Sequence, residues 1–355
     1  MTKVYIEQCT EHKLPLSFVF WPNLTFPLKA KRLFLQEIME TYQQPFFDIT
    51  EDIASADFVA VPHDYFDCLR YAPHYLLRMY RLAQEAKKKI LLFEYTDYVD
   101  TRVEIPEHAV LFRVSVYRHH KKTNEIVMPY FIEDIGANHT IGPKEKGTPI
   151  SVGYCGQARF KNTLRKWRGN AKRLLQVLML MLQGDAQPFV HACGIFWRSK
   201  AIVTLRKGGI RARILERSFY SLFDAGEFDP KRNREEYIEN LRDSDLALCA
   251  RGDANQSQRF YEALSASRVP LYLDTDTVLP LEEALPYEEV VLFVPSQELQ
   301  SLPARVRAFD KEVSKDAFLL RQKKARKLYE ELRLDRYFER VFDREKSPYR
   351  DILFS

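Results

Sequence analysis

Arg251, Ser257, Arg259 and Glu262 are gathered between two short apolar runs, Leu246 to Cys249 and Val269 to Leu273. Cations and a hydroxyl suit a diphosphate, and a single carboxylate suits the paired hydroxyls of a sugar, because it accepts two hydrogen bonds from a vicinal diol. The order apolar run, polar loop, amphipathic stretch, apolar run reads as one β-α-β unit. In open α/β sheets ligands bind beyond the carboxyl ends of the strands, where this loop belongs. A plainer reading stands beside it: Arg259 and Glu262, three apart, also suit a solvated helix pair worth ~0.2–0.5 kcal/mol. No Gly-rich phosphate loop of the GxGxxG or Walker type is present.

Short apolar strands and helical spacings alternate along the chain, which predicts parallel sheets with crossover helices. The first half offers strands at Ser17 to Phe20, Phe58 to Val61, Ile90 to Phe93, Ala109 to Val114 and Glu125 to Pro129. Helical spacing runs over Leu28 to Tyr42 and Tyr75 to Lys87. Residues 133–149 concentrate Gly, Pro, Asn and Lys without periodicity and read as a linker. A strand at Ile150 to Tyr154 restarts the pattern, followed by a long helix through Gln183 and a strand near Phe189 to His191. The longest apolar stretch, Leu174 to Leu182, reads as a buried helix. The expected division is 1–135, linker 136–149, 150–305, and a helical segment 306–355 whose apolar stripes (Val306, Phe309, Val313; Leu328, Leu332, Phe338) sit on charged helices.

The 54 basic and 49 acidic residues leave a formal charge of +5, too little for the sequence-independent electrostatics of nucleic-acid binding. Five scattered cysteines (Cys9, Cys68, Cys155, Cys193, Cys249) form no CxxC pair and no disulfide framework, so a reducing compartment is the simpler expectation. No run approaches the ~18 apolar residues of a membrane span. The expected location is the cytoplasm, free or at the inner membrane surface. Arg206 to Arg213 reads as a basic loop, Lys161 to Arg173 as a cationic helix start, and Arg118 to Lys122 as an exposed loop. His119-His120 lacks a third metal ligand nearby in the chain. Asp274-Thr275-Asp276 reads as a turn with capping carboxylates rather than a ligand pair. No metal site is expected.

The segment as a whole resembles the C-terminal signature of the exostosin-type (GT47-like) glycosyltransferases. The matching positions are Cys249, Arg251, Gly252, Ser257, Arg259, Glu262, Ala263, Leu264, Pro270 and Leu279-Pro280. Asp52 to Pro62, with Ala56-Asp57 and Val61-Pro62, is similar to the family's N-terminal element, and Tyr154 to Arg159 to its aromatic-x-Gly-x-x-Arg turn. Ser267-Arg268 departs from it, since the family usually has Gly in that turn, and a positive φ at Ser267 would strain it. The transmembrane anchor and stem of animal and plant members are missing from the sequence.

The resemblance implies a GT-B fold, two Rossmann-like domains facing a cleft, with C-terminal helices crossing back to the first. It implies an inverting, metal-independent transfer of a sugar from a nucleotide sugar, usually UDP-linked, to a glycan hydroxyl. No cofactor beyond the donor is expected. Arg159, Arg251 and Arg259 would then face the diphosphate with Ser257, although Arg251 equally suits a role in orienting the loop. Glu262 would hold the ribose. The base, expected at a strand end of the first domain, is Asp64 or Asp97, then His63, then Glu94. Asp64 as a helix cap and His63 as plain surface remain open. The alternatives are a non-catalytic binding relative and a nucleic-acid-binding protein using the basic loops.

Overall fold

A computed structural model describes residues 1–24, 38–39, 41–219 and 229–355. Two wholly parallel sheets organise it. The first contains β1 (Thr2–Ile6), β2 (Phe47–Thr50), β3 (Phe58–Asp64), β4 (Ile90–Glu94), β5 (Ala109–Arg113) and β6 (Glu125–Val127), in the order β2-β1-β3-β4-β5-β6. The second contains β7 (Val152–Gln157), β8 (Ala212–Arg217), β9 (Leu246–Cys249), β10 (Val269–Asp274) and β11 (Leu292–Pro295), in the order β11-β10-β9-β7-β8. Continuous apolar runs are what a parallel sheet covered on both faces demands, and β3, β4, β5 and β9 are buried throughout. The two-sheet α/β architecture is the one the resemblance implied.

Helix 334–341 at the C-terminus packs on the first sheet. Phe338 lies 5.4 and 5.3 Å, ring to ring, from Phe46 and Phe47, while Phe342 meets Phe47, Phe58 and Phe112 at 5.4–5.8 Å. The tail therefore crosses back, burying aromatic area that its sequence displays as one stripe. Loops join the sheets directly as well: Tyr117 bridges Thr277, Arg118 grips the Glu282 carboxylate with both terminal nitrogens (2.7 and 2.8 Å), and the Asn255 amide donates to the Val116 carbonyl.

Several local expectations change. Phe18–Phe20 is a turn of 3-10 helix rather than a strand, and residues 189–191 form a turn. The basic run Arg206 to Arg213 is not one loop: helix 194–207 ends in it and β8 begins at Ala212. Leu174, Leu175, Leu178 and Leu182 lie on helix 163–182, yet they face solvent, because no described element covers that side. The helical reading of Leu28 to Tyr42 falls largely outside the described residues. No helix among them is long and apolar enough to cross a membrane, and all five cysteines are unpaired.

The departure at Ser267 is real. Its φ is +55°, and its N–H donates to Leu264 O while that of Arg268 donates to Ala263 O, the paired bonds of a Schellman cap closing helix 258–265. The structure thus needs a left-handed residue where this chain has Ser. The following Arg268 is 1% exposed and donates to the Leu241 and Arg242 carbonyls at the end of helix 230–243, and to Gln322 of the tail. Burial pulls its pKa down to about 10.

Candidate active site

The loop after β9 and the helix it feeds, 258–265, form one wall of a cleft of about 570 Å³ between the sheets. Ser257, Gln258, Arg259 and Glu262 line that wall, the ends of β7 and helix 230–243 continue it, and Phe18, Tyr95, Asp97, Tyr130 and Phe131 face it from the first sheet. The helix begins at the carboxyl end of β9, so its first N–H groups open toward the cleft.

Arg259 is the central cation. Its guanidinium lies 4.1 Å from the Tyr154 ring and 5.3 Å from that of Tyr237, and Nη2 donates to the Cys155 carbonyl. Nη1 is buried with no partner, and among the described residues no carboxylate lies within ion-pair distance. Room for this side chain comes from Gly156: a Cβ there would stand 2.7 Å from Nη2. Glu262, 6% exposed, accepts from the Tyr237 hydroxyl at 2.5 Å and Gln258 at 3.3 Å, with Arg234 at 3.5 Å. Arg234 also pairs with Glu133, whose carboxyl it draws below the usual range against the opposing effect of burial.

Two proposed phosphate ligands stand elsewhere. Arg159 is exposed and pairs with Glu216 at 3.0 Å, in a second hollow beside Phe160, Arg173 and Lys200, because the chain turns away from the cleft after Gln157. Arg251 is 2% exposed and spends its terminal nitrogens on the Tyr117 hydroxyl (2.5 Å), the Val190 carbonyl (2.7 Å) and the Asp253 carbonyl (2.7 Å). It shapes the loop rather than lining the cleft.

The base candidates separate similarly. His63 is buried, with Nε2 accepting from Cys9 N at 2.9 Å and Nδ1 3.1 Å from Pro15 O, and burial lowers its pKa. Asp64 caps helix 65–71, accepting from Phe66 N and Asp67 N, and its second oxygen accepts from Tyr95 N at 2.9 Å. Burial lifts its pKa to about 6 against the pull of those N–H groups. Glu94 sits in a buried ladder with Arg113 and Glu125, its pKa pushed up to about 7 by burial. Only Asp97 of these four lines the cleft, its pKa raised by partial burial and then by neighbouring Asp253. The Asp64 cap still matters, since it holds the backbone of Tyr95 at the rim.

Tyr154, Arg198, Asn233, Arg234 and Tyr237 also line the cleft, and sequence reading did not assign them roles there. Arg198 is held by the Arg251 and Gln157 carbonyls at 3.1 and 2.7 Å. The stretch Asn233 to Tyr237 gave no signal beyond an ordinary charged helix.

The model of the exostosin GT47 domain matches residues 196–309, which include β8 through β11 and the Arg259–Glu262 helix. The chain is similar to a probable glucuronosyltransferase of Oryza sativa subsp. japonica, 28% identical over 131 residues, or 35% of this chain and 30% of that protein. It is also similar to a probable beta-1,4-xylosyltransferase of Arabidopsis thaliana, 31% identical over 77 residues, or 22% and 19%. The chain thus spans less than a third of the length of these curated relatives. Solved structures with similar layout include an alpha1,3-fucosyltransferase (TM-score 0.36, 10% identity, covering 100% of this chain and 93% of that one) and Anabaena HepE in complex with UDP (TM-score 0.34, 9% identity, 93% and 95%). The likeness to the exostosin-type glycosyltransferases is carried by segment 196–309, which matches the exostosin GT47 domain.

Proposed function

We propose that this protein is an inverting glycosyltransferase that moves a sugar from a UDP-linked donor to a hydroxyl of a glycan acceptor. The observation that carries the proposal is the half-buried, carboxylate-free guanidinium of Arg259, its buried Nη1 without a partner, beside the buried carboxylate of Glu262 on one cleft wall. A buried cation without a counter-charge is costly, and an anionic ligand supplies the missing partner.

In this reading Arg259 meets the diphosphate together with Ser257 and the first N–H groups of helix 258–265. These donors are fixed before the bond breaks, so they stabilise charge developing on the leaving diphosphate without reorganising. Glu262, oriented by Tyr237 and Gln258, takes the ribose hydroxyls. Asp97 faces them from the first sheet and takes the proton of the attacking hydroxyl; its raised pKa suits a general base. Tyr95, Tyr130 and Phe131 give the acceptor side aromatic faces on which sugar rings stack. The diphosphate is held by protein cations and backbone amides, with no metal at that position. The names of the plant relatives make UDP-glucuronate and UDP-xylose the first donors to try.

The test is a thermal-shift and donor-hydrolysis panel of nucleotide sugars on the purified chain. A UDP sugar should stabilise the protein and be slowly hydrolysed. Stabilisation without any turnover, with or without glycan acceptors, would reduce the protein to a binding relative. No stabilisation by any nucleoside diphosphate would refute the proposal.

A further inference from the structure

A second constellation lies outside the cleft lining, where loops of the two sheets meet. His119 and His120 belong to the turn 118–120 after β5; Asp185 and His191 follow helix 163–182. Their ligand atoms all lie within 4.8 Å of one another, and among the described residues no other group of three or more such side chains does this. The Asp185 carboxylate is the meeting point, with His119 Nε2 at 3.2 Å, His120 Nε2 at 2.8 Å and His191 Nε2 at 3.5 Å. The side chains are 0% exposed at Asp185, 1% at His191, 10% at His120 and 13% at His119.

The outer nitrogens are as informative. His191 Nδ1 stands 2.6 Å from the Asp100 carboxylate, and His119 Nδ1 contacts that of Asp276. A neutral imidazole that donates its Nδ1–H to a carboxylate presents a bare lone pair at Nε2. His119 and His191 each turn the opposite nitrogen, Nε2, toward the Asp185 carboxylate, whose Oδ1 also accepts from Gln187 N at 2.8 Å. His191 Nε2 is buried and makes no aligned hydrogen bond. A cation placed among the four ligand atoms gains a bond from each. Carboxylates gripping the outer nitrogens of ligating histidines are the usual second layer of a metal site.

We infer that His119, His120, Asp185 and His191 bind one divalent transition-metal ion of the Zn²⁺ class, which ties the loops of the two sheets together. Three imidazoles and a carboxylate satisfy a tetrahedral ion, whose ligand atoms stand ~3.3 Å apart when metal–ligand bonds are ~2.0–2.1 Å. Arg102, 3.2 Å from His120 Nε2 and 62% exposed, is the one cation near the centre among the described residues and swings toward solvent when the ion enters.

The ion is structural. None of its ligands lines the cleft, but His191 packs against Tyr117 (4.2 Å between ring centres), whose hydroxyl accepts from Arg251. Arg251 in turn shapes the loop that ends at Ser257. The site thus braces the cleft wall from behind, and it stands whether or not the chain transfers a sugar.

The full chain, stripped with a chelator and dialysed, is titrated with Co²⁺ and then Zn²⁺. The expected result is one Co²⁺ per chain with the visible d–d bands of a tetrahedral nitrogen–oxygen site, bleached by one equivalent of Zn²⁺. His120→Ala, close to the surface, should weaken Co²⁺ binding by more than about 100-fold; Asp276→Asn, altering the carboxylate that holds the outer nitrogen of His119 and also accepts from His119 N and Gln187, by about 10–100-fold. Folding of each variant is checked by near-ultraviolet circular dichroism. A wild-type chain that leaves Co²⁺ as the octahedral aquo ion, a measurement needing no variant, overturns the inference. So does tight 1:1 binding that survives in a folded His120→Ala/His191→Ala double variant.

Discussion

Arg259→Met separates a ligand-binding cation from a packing one. The substitution keeps a linear apolar stem between Tyr154 and Tyr237 and removes the charge. In the ligand-free protein it forfeits the bond to the Cys155 carbonyl, about 1.5–3 kcal/mol for a charged donor, and ring contacts of up to ~2 kcal/mol. Against this stands relief from holding a half-buried guanidinium whose buried Nη1 has no partner, a cost of about 1–3 kcal/mol or more for a charged group. The terms nearly cancel, so the unfolding free energy of the ligand-free variant should stay within about 1 kcal/mol of wild type. With UDP present the balance changes, because a charge-assisted bond to phosphate is lost outright. At about 1.5–3 kcal/mol that is a roughly 10- to 100-fold rise in Kd. Gly156→Ala should also lose affinity, because its Cβ meets Arg259 Nη2 at 2.7 Å and because the φ of +152° there strains any residue with a Cβ. Titration calorimetry with UDP, alongside urea unfolding without ligand, reads both quantities. Arg259→Met binding UDP within twofold of wild type, or collapsing by several kcal/mol without ligand, would refute the reasoning.

Asp97→Asn should leave UDP affinity unchanged and reduce transfer by at least about 100-fold; the wild-type rate should rise with pH along a limb displaced above the ordinary carboxylate range. Asp64→Asn turns an amide toward Tyr95 N–H and should cost about 1–3 kcal/mol of stability while leaving that rate limb in place, as followed by urea unfolding and a pH–rate profile. Because burial raises the folded pKa of Asp64 to about 6, above its unfolded value, its contribution to stability is present at low pH and lost as pH rises from ~4 through 6. Wild-type stability should therefore fall more steeply across that window than that of Asp64→Asn. Ser267→Gly should stabilise by up to about 1 kcal/mol, since Gly takes φ +55° without the strain of a Cβ; a lower melting temperature would contradict the assignment of that turn.

The β-α-β unit that carries Arg259 and Glu262 was legible because its parts are neighbours in the chain. Strand, loop, helix and strand from Leu246 to Asp274 form one local β-α-β, and apolar runs of four to six residues bounded by polar turns there read as strands buried on both faces. Arg259 and Glu262 reach one cleft because helical spacing puts residues three apart on one face. Arg251 shares the same loop, yet it turns inward, a choice made by Tyr117 and Val190 from distant segments. His63, Asp64 and Asp97 were equivalent as polar residues at strand ends. Hydrogen bonds from Cys9, Tyr95 and the first turn of helix 65–71 withdraw two of them from the cleft.

The sequence by itself determined the class of architecture, the helix 258–265 with its cation and carboxylate, and the likeness of segment 196–309 to the exostosin GT47 domain. Each depends on short-range periodicity or on a contiguous signature. Only the tertiary structure decided which cations face the cleft, which carboxylate stands across from them, and that His119-His120 meets Asp185 and His191. Those four side chains come from two segments more than sixty residues apart, joined only because loops of two separate sheets pack together. Chain spacing carries no record of such a meeting; the burial of Asp185 among three imidazoles does.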